Sequence, residues 1–318
     1  MEEVPGQDED EREATGLEPA PVRTLARLPR HFLTGSELSA DELGALLDRA
    51  LALKAAPQSS RALAGRSVAL VFEHPSTRTR TSFEVGIVEL GGHPMVVRPG
   101  ELQLTRGESI RDTALVLSRN VAAIGLRTGS EATLAELAEY AQVPVINMLS
   151  PEHHPCQALA DMLTLREAFG ALAGRRLAYV GDGNNVARSL ALVGGLAGVE
   201  VMVAAPAGYQ LEPEAGASLT DDPQAAAAGA DVLYTDVWVS MGDDAATAEE
   251  RRVALASYRI DDALHDRAAP GAFALHCLPA HPGEEITADV LYGPRQRIWD
   301  QAENRRHAQK ALLEWLVE

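Results

Sequence analysis

Short apolar runs alternate with segments of helical periodicity along most of this chain. Such alternation is typical of strand–helix units that build parallel sheets. Because parallel strands are joined by crossover helices, we expect helices on both faces of each sheet. The predicted strands are Val68–Phe72, His93–Val97, Ala122–Leu126, Val143–Asn147, Leu177–Val180, Val199–Ala204, Val232–Thr235 and Phe273–His276.

The chain has 318 residues, which is more than one hydrophobic core usually organises, so two domains are predicted. A long helical pattern from Gln157 to Phe169 separates the two groups of predicted strands, and the domain break is placed near it. We expect open, mainly parallel α/β sheets in residues 30–155 and 156–299. A C-terminal helix over about 300–318 should pack back on the first domain.

The amino-terminal segment, residues 1–29, carries acidic runs, four prolines and few large apolar residues, which predicts a disordered tail. Lys and Arg total 28 against 46 Asp and Glu, giving a net charge of −18. That charge argues against nucleic acid and anionic membranes as partners. No apolar run is long enough to span a membrane and the amino terminus does not read as a secretory signal, so a cytoplasmic protein is expected.

Four polar residues follow the first predicted strand and lie where the next helix should begin: Ser76, Thr77, Arg78 and Thr79. Helix starts present unpaired N–H groups, and a guanidinium grips two oxygens at once, so the combination suits a phosphate. A simple capped helix explains any one of these residues equally well. Four in succession after a strand favour an anion site.

The stretch from Phe72 to Glu84 resembles the carbamoyl-phosphate loop of the aspartate and ornithine carbamoyltransferase family. The block that begins His154-Pro155-Cys156-Gln157 is similar to the second motif of that family. The resemblance implies that His154 donates a hydrogen bond to the carbonyl oxygen of the carbamoyl group. It also implies that Gln157 accepts one from the carbamoyl amine and thereby orients the electrophile.

Three further residues are similar to family positions around the donor. Arg127 and Arg305 resemble residues that neutralise the phosphate or polarise the carbonyl group. Gln103 aligns with a loop that in the family reaches into the site of a neighbouring subunit. The resemblance therefore implies a homotrimer with its sites near subunit boundaries.

The segment from Val180 to Asn185 follows a strand and begins a helix, as a dinucleotide-binding fingerprint does. Val186 stands near the position of the third glycine, and no suitable acid ends the following strand, so a nicotinamide cofactor is disfavoured. The segment instead resembles the ornithine-domain loop of the family. That resemblance implies that Asn185 binds the α-carboxylate of the acceptor.

The segment from Asp236 to Gly242 resembles the mobile ornithine loop of the family. The resemblance implies that Asp236 holds the ammonium groups of the amino acid, while Ser240 and Met241 contact its α-amino and carboxyl end. Closure of such a loop would exclude water and protect a labile acyl phosphate.

The sequence His276-Cys277-Leu278-Pro279 ends another strand and resembles the acid–base block of the family. Buried thiols are usually inert core groups. Beside an ammonium ligand at the carboxyl end of the strand, however, we expect Cys277 to ionise and help to receive a proton from the attacking amine, because nearby positive charge favours the thiolate. The resemblance also implies that the Leu278 carbonyl accepts a hydrogen bond from the carbamoyl amine.

The resemblance implies transfer of the carbamoyl group of carbamoyl phosphate to the side-chain amine of L-ornithine, without a metal or organic cofactor. Direct attack would give a tetrahedral intermediate stabilised by the donor-side residues: Arg78, Arg305, His154 and Thr79. Two alternatives stay open: a carbamoyltransferase for putrescine, acetylornithine or another amine, and a binding protein that has lost turnover. The chain departs from common family residues at His74, Met148 and Pro282, which bears on affinity and loop shape.

Overall fold

The computed structural model describes residues 29–98, 100–102, 107–239 and 244–318, and it contains two parallel sheets. The predicted amino-terminal tail, apart from Pro29, lies outside the described residues, as do Gln103, Ser240 and Met241. In the described part, no helix is sufficiently long and apolar to cross a membrane.

The first sheet has the strand order β2-β1-β3-β4, and all of its pairings are parallel. Its strands are β1 (Ser67–Phe72), β2 (His93–Val97), β3 (Ala123–Arg127) and β4 (Val145–Leu149). The helices of this half are α1 (Ala40–Ala55), α2 (Thr77–Glu89), α3 (Ile110–Leu117) and α4 (Glu131–Tyr140).

The second sheet has five parallel strands in the order β7-β6-β5-β8-β9. Its strands are β5 (Arg176–Val180), β6 (Glu200–Ala204), β7 (Ser218–Thr220), β8 (Val232–Thr235) and β9 (Phe273–His276). The remaining helices are α5 (Pro155–Phe169), α6 (Asn185–Leu196), α7 (Pro223–Ala227), α8 (Ala245–Leu255), α9 (Asp262–His265), α10 (Ala288–Tyr292) and α11 (Ile298–Val317).

The predicted fold class, two open parallel α/β sheets with a returning C-terminal helix, is confirmed. Helix α11 packs against α1 and α2 of the first half and against α5, which lies between the two sheets in the chain. One continuous hydrophobic core includes residues of both sheets and of these helices, from Leu43 to Leu316. Two smaller clusters cover the outer faces, so each sheet is buried on both sides.

Both sheets reverse their strand order at one point, and there the connections diverge to opposite faces. In the first sheet this point lies between β1 and β3, and in the second between β5 and β8. Ligands of open α/β sheets bind outside the carboxyl ends of the strands at such points. The fold therefore directs attention to the loops after Phe72, Arg127, Val180 and Thr235.

Candidate active site

The loop after β1 forms the amino-terminal start of α2, as predicted. Ser76 is the N-cap of this helix, and its hydroxyl accepts a hydrogen bond from the Thr79 backbone N–H at 3.4 Å. Helix α2 has 13 residues and no acidic residue in its first turn, so its positive end is not neutralised locally. The start of α2 is thus suited to an anion.

Three guanidinium groups gather at this helix start. Arg127 at the end of β3 donates to the Ser76 hydroxyl at 3.4 Å, and Arg305 of α11 donates to the Thr79 hydroxyl at 2.7 Å. Burial and then the charge of Arg305 lower the pKa of Arg127 to about 10, and burial lowers the pKa of Arg78. The cluster is therefore electrostatically costly by itself, and a bound anion would relieve the repulsion.

His154 lies beside these guanidinium groups at the start of α5. Its side chain is almost fully buried and makes no capping hydrogen bond. Burial and then the neighbouring charges of Arg305, Arg127 and Arg78 hold the pKa of His154 well below its usual range. The imidazole is therefore neutral near pH 7 and can donate one hydrogen bond without adding positive charge.

Gln157, one turn into α5, has both ends of its amide bound within the protein. Its Oε1 accepts from Arg305 Nη1 at 2.8 Å, and its Nε2 donates to Asp161 Oδ1 at 2.8 Å. An amide oxygen has two lone pairs, so Oε1 keeps one acceptor position for a ligand. The structure thus brings Gln157 to the arginine cluster and shows which neighbours fix its orientation.

Asp236 lies at the carboxyl end of β8, on the second sheet, and faces the three guanidinium groups at the start of α2. Its side chain is buried, and burial raises the pKa of the Asp236 carboxyl above its usual value. Asn184 Nδ2 donates to Asp236 Oδ2 at 3.1 Å, while Asn184 Oδ1 caps α6. An approaching ammonium group would supply the positive charge that this buried acid lacks.

Asn184 is a site residue that the sequence interpretation missed. Asn185, the predicted carboxylate ligand, donates its side-chain N–H to the Ser150 carbonyl at 2.7 Å. This hydrogen bond joins the loop after β4 to the start of α6. The sequence did not indicate which of the two adjacent asparagines would face Asp236. That depends on which of them is the N-cap of α6, and the pattern leaves this position open.

Burial opposes the expected ionisation of Cys277. Cys277 is buried, and burial followed by the charge of Asp236 raises the pKa of its thiol far above the usual range. The positive charges of Arg305 and Arg78 act in the opposite direction but are outweighed. The thiol is therefore protonated at neutral pH, because desolvation dominates over the nearby guanidinium groups.

Leu278 connects the two halves of the site directly. Its backbone carbonyl accepts a hydrogen bond from Arg78 Nη2 at 2.7 Å, across from the first sheet to the loop after β9. Leu278 has a φ of 63°, which is the left-handed region that a branched side chain rarely adopts. Strained backbone of this kind is often held at functional sites.

The structure thus brings together the predicted residues that it describes on the two sheets. They are Ser76, Thr77, Arg78, Thr79, Arg127, His154, Gln157, Asn185, Asp236, Cys277, Leu278 and Arg305. Gln103, Ser240 and Met241 lie outside the described residues and stay predictions.

One group of possible metal ligands occurs among the described residues, on the loop after β9. Ligand atoms of His281, Glu284 and Glu285 lie within 4.8 Å of one another. Glu284 accepts a hydrogen bond from Arg252, and Glu285 accepts from the His281 backbone N–H. Protein contacts thus account for these carboxylates, and the proposed chemistry makes no use of a metal there.

An arginine-rich helix start on the first sheet that faces a buried acid on the second is typical of an enzyme that transfers a group from an anionic donor to an amine. The family model described as "Aspartate/ornithine carbamoyltransferase, carbamoyl-P binding domain" matches residues 30–167. Its companion, "Aspartate/ornithine carbamoyltransferase, Asp/Orn binding domain", matches residues 173–316. The chain belongs to the aspartate/ornithine carbamoyltransferase family.

Three similar proteins are named ornithine carbamoyltransferase, and they are more similar to this chain than an N-acetyl-L-ornithine transcarbamylase structure that is 33% identical with a TM-score of 0.79. An ornithine carbamoyltransferase of Acidothermus cellulolyticus is 56% identical over 303 residues, covering 91% of this chain and 97% of the relative. One of Parafrankia sp. is 54% identical, covering 91% and 96%. The crystal structure of ornithine carbamoyltransferase from Thermus thermophilus superposes with a TM-score of 0.85 at 45% identity, covering 92% of this chain and all of that one.

Proposed function

We propose that this protein is an ornithine carbamoyltransferase that converts carbamoyl phosphate and L-ornithine to L-citrulline and phosphate. The observation that carries the proposal is the arginine cluster of the first sheet facing the buried Asp236 of the second. The names of the relatives reported above support ornithine as the acceptor over putrescine or acetylornithine. Their high coverage on both sides means that both half-sites are included in the likeness.

The donor binds at the start of α2 in this proposal. The phosphate contacts the hydroxyls and backbone of Ser76, Thr77 and Thr79, with Arg78 and Arg127 supplying charge. The carbonyl oxygen of the carbamoyl group points to Arg305 and His154, while Gln157 and the Leu278 carbonyl accept from its amine. Gln103 of a neighbouring subunit contributes to the same phosphate.

The acceptor binds between the two sheets. Asp236 holds the ammonium group, Asn185 reaches the α-carboxylate, and Ser240 and Met241 contact the α-amino and carboxyl end. Because the pKa of Asp236 is raised, this carboxyl can also take part in removing a proton from the amine. Cys277 serves as a neutral hydrogen-bonding thiol in this scheme, since its raised pKa opposes a thiolate role.

The reaction proceeds by direct attack of the neutral side-chain amine on the carbonyl carbon. The new C–N bond forms as the carbonyl electrons move to oxygen, where Arg305 and His154 stabilise the developing negative charge. Collapse of this tetrahedral intermediate breaks the C–O bond to phosphate, and the amine proton passes through the Asp236 carboxylate to solvent or to the departing phosphate. No covalent enzyme intermediate, metal or organic cofactor takes part.

The wider setting is proposed from the family. The protein would act in arginine metabolism in the cytoplasm, as a homotrimer whose sites lie near subunit boundaries. Residues 30–155 with α11 would form the carbamoyl-phosphate domain and residues 156–299 the ornithine domain. The family admits both the biosynthetic and the catabolic direction of the reaction, with the same residues in the site.

The role of Arg78 gives the direct test of this proposal. Arg78→Ala removes one guanidinium and its bridge to Leu278, so kcat/KM for carbamoyl phosphate should fall by about 10²–10³-fold. The matched control is Arg80→Ala, two residues further along α2, where the partly exposed side chain pairs with Glu84. Citrulline formation is measured in both variants. Full turnover of Arg78→Ala with carbamoyl phosphate would show that the assignment is wrong.

A further inference from the structure

A buried carboxylate lies behind the candidate active site and belongs to neither predicted substrate pocket. Asp161 is on α5, one turn after Gln157, and is completely buried. Its Oδ1 accepts two hydrogen bonds, from Gln157 Nε2 at 2.8 Å and from Gln301 Nε2 of α11 at 2.7 Å. Its contacts therefore run to two different helices.

The first contact fixes which way the Gln157 amide points. With Nε2 bound to the carboxylate, Oε1 is directed to Arg305 Nη1 at 2.8 Å. A flipped amide would place its oxygen against the oxygen of Asp161 and its NH₂ against a guanidinium, which are both repulsive arrangements. Asp161 thus sets the orientation of Gln157, and Gln157 in turn holds Arg305.

The second contact leads to the acceptor side. Gln301 precedes Arg305 by one turn of α11, and its Oε1 accepts from the His276 backbone N–H at 3.0 Å. Its Nε2 also lies 3.0 Å from the Tyr234 hydroxyl. His276 directly precedes Cys277, and Tyr234 lies two residues before Asp236. The same carboxylate is therefore linked through one amide to the ends of β8 and β9.

Stability alone does not explain a buried carboxylate at position 161, because desolvation of its charge lowers the free energy of unfolding. Among the described residues, none of the ion pairs involves Asp161, and its side-chain hydrogen-bond partners are neutral groups: the two amides and the Tyr234 hydroxyl. Burial raises the pKa of the Asp161 carboxyl to about 7. Apolar replacements of buried polar groups are often neutral or stabilising, so a buried acid at this place suggests a use beyond packing.

We propose that Asp161 is a positioning residue for carbamoyl transfer. It orients the Gln157 and Gln301 amides, and through them it fixes the position of Arg305 relative to the ends of β8 and β9. The proposal rests on the proposed function for its kinetic readout. Asp161 touches neither substrate. Its effect on both half-sites follows from the two amides that share its Oδ1.

The test compares two substitutions of this carboxylate with one control. Asp161→Ala removes the shared acceptor, whereas Asp161→Asn keeps an oxygen that can accept both amide hydrogens. The control is Thr164→Val, one turn further along the same α5–α11 contact. There the buried Thr164 hydroxyl accepts from Asn304 Nδ2 at 3.1 Å, outside the candidate site.

Three quantities are measured for each protein: the Kd for carbamoyl phosphate by calorimetry, the kinetic constants for both substrates, and Tm. A misplacement of about 1 Å costs about 10²-fold in rate, so Asp161→Ala should lose about that factor in kcat and weaken carbamoyl-phosphate binding. Asp161→Asn should stay within about threefold to tenfold of the wild type. Thr164→Val should lower Tm and leave kinetics unchanged.

The outcomes separate this inference from the proposed function. Wild type that binds carbamoyl phosphate but forms no citrulline would refute the proposed function, while weaker donor binding by Asp161→Ala would still support the positioning role. Kinetics of Asp161→Ala that match those of Thr164→Val would overturn the inference. If Asp161→Ala does not fold, Gln301→Met tests the link from Asp161 through Gln301 to the ends of β8 and β9. An unchanged KM for ornithine together with an unchanged kcat in that variant would overturn the inference.

Discussion

Arg78 shows at the scale of one residue how the two halves of the molecule meet. It lies in the first turn of α2, and its guanidinium donates to the Leu278 carbonyl in the loop after β9. The sequence predicted that Arg78 lies at a helix start, because the four polar residues from Ser76 to Thr79 follow a strand. The contact to Leu278 was not predictable, because the two residues are 200 positions apart and the sequence carries no signal of their distance in space.

Cys277 shows which electrostatic effects a sequence conceals. The motif places a thiol beside the expected ammonium ligand, and that positive charge predicts a thiolate. The structure adds burial and the adjacent charge of Asp236, and both raise the pKa of the thiol. The sign of the shift depends on solvent exposure, which is set by the packing of β9 against its neighbours and is invisible in the motif.

The raised pKa of Cys277 leads to a prediction at this scale. Because the folded protein keeps this proton above the pH at which an unfolded thiol releases it, about 8.5, the thiol disfavours folding as pH rises beyond that value. The ligand-free protein should therefore react slowly with a thiol-alkylating reagent at about pH 8, and quickly once denatured.

The control for this prediction is Cys277→Ser, which leaves Cys156 as the only cysteine. Burial raises the pKa of Cys156 to about 12, so the background of labelling should be slow as well. Rapid alkylation of the native wild type that disappears in Cys277→Ser would show that the thiol ionises readily, and the neutral role assigned to it would be wrong.

At the scale of elements, helix starts and apolar strands were the features most readily predicted. Ser39 is followed three residues later by Glu42, a spacing typical of a helix start, and the two residues form a capping box at the start of α1. The strands β2, β8 and β9 have the predicted bounds, because each is a short, mainly apolar segment. Strand β7 was missed because it is a short, partly polar edge strand with only three residues.

The C-terminal helix is held by a buried ion pair that has no signature in the sequence. Lys310 of α11 is completely buried, and its Nζ donates to Glu89 at 2.6 Å and to the Leu53 and Pro57 carbonyls. Lys is rarely buried unless it is paired, so pattern alone would place this residue on the surface. The partners come from α1, α2 and the loop after α1, which fixes α11 on the first half.

Lys310→Ala should therefore destabilise the protein by about 2–3 kcal/mol, because it removes one of the two cations paired with the nearly buried Glu89 and the donor to two backbone carbonyls, while Arg306 stays paired with Glu89. The matched control is Asp48→Asn, which removes the ion pair between α1 and α5 with Arg166. That pair is partly exposed to solvent, so its loss should cost about 1 kcal/mol or less. Denaturant unfolding measures both, and similar losses in the two variants would contradict the account.

At the scale of the whole molecule, the reversal of strand order places the site. Both reversal points carry the polar loops that the sequence singled out, so the carboxyl ends of two sheets contribute to one cleft. The order of the strands in each sheet depends on how the connecting helices pack on its two faces. Alternation in the sequence predicts parallel sheets and does not reveal that order.

The proposed homotrimer is a prediction at this scale. Sedimentation equilibrium of the purified protein should give a mass three times that of the 33.9 kDa chain. Gln103→Ala should weaken binding of carbamoyl phosphate while leaving that mass unchanged, because the side chain is proposed to act across a subunit boundary. A stable monomer with full activity would contradict both the assembly and the shared site.

The central claim is that carbamoyl phosphate is the donor and ornithine the acceptor. The most direct measurement supplies carbamoyl phosphate with ornithine, acetylornithine, putrescine or aspartate in turn, and follows phosphate release together with formation of the ureido product. We expect turnover with ornithine that exceeds each of the other acceptors by at least about 10²-fold, because Asp236 and Asn185 are placed for a free α-amino acid. Equal or faster turnover with another amine, or binding without any phosphate release, would contradict the account.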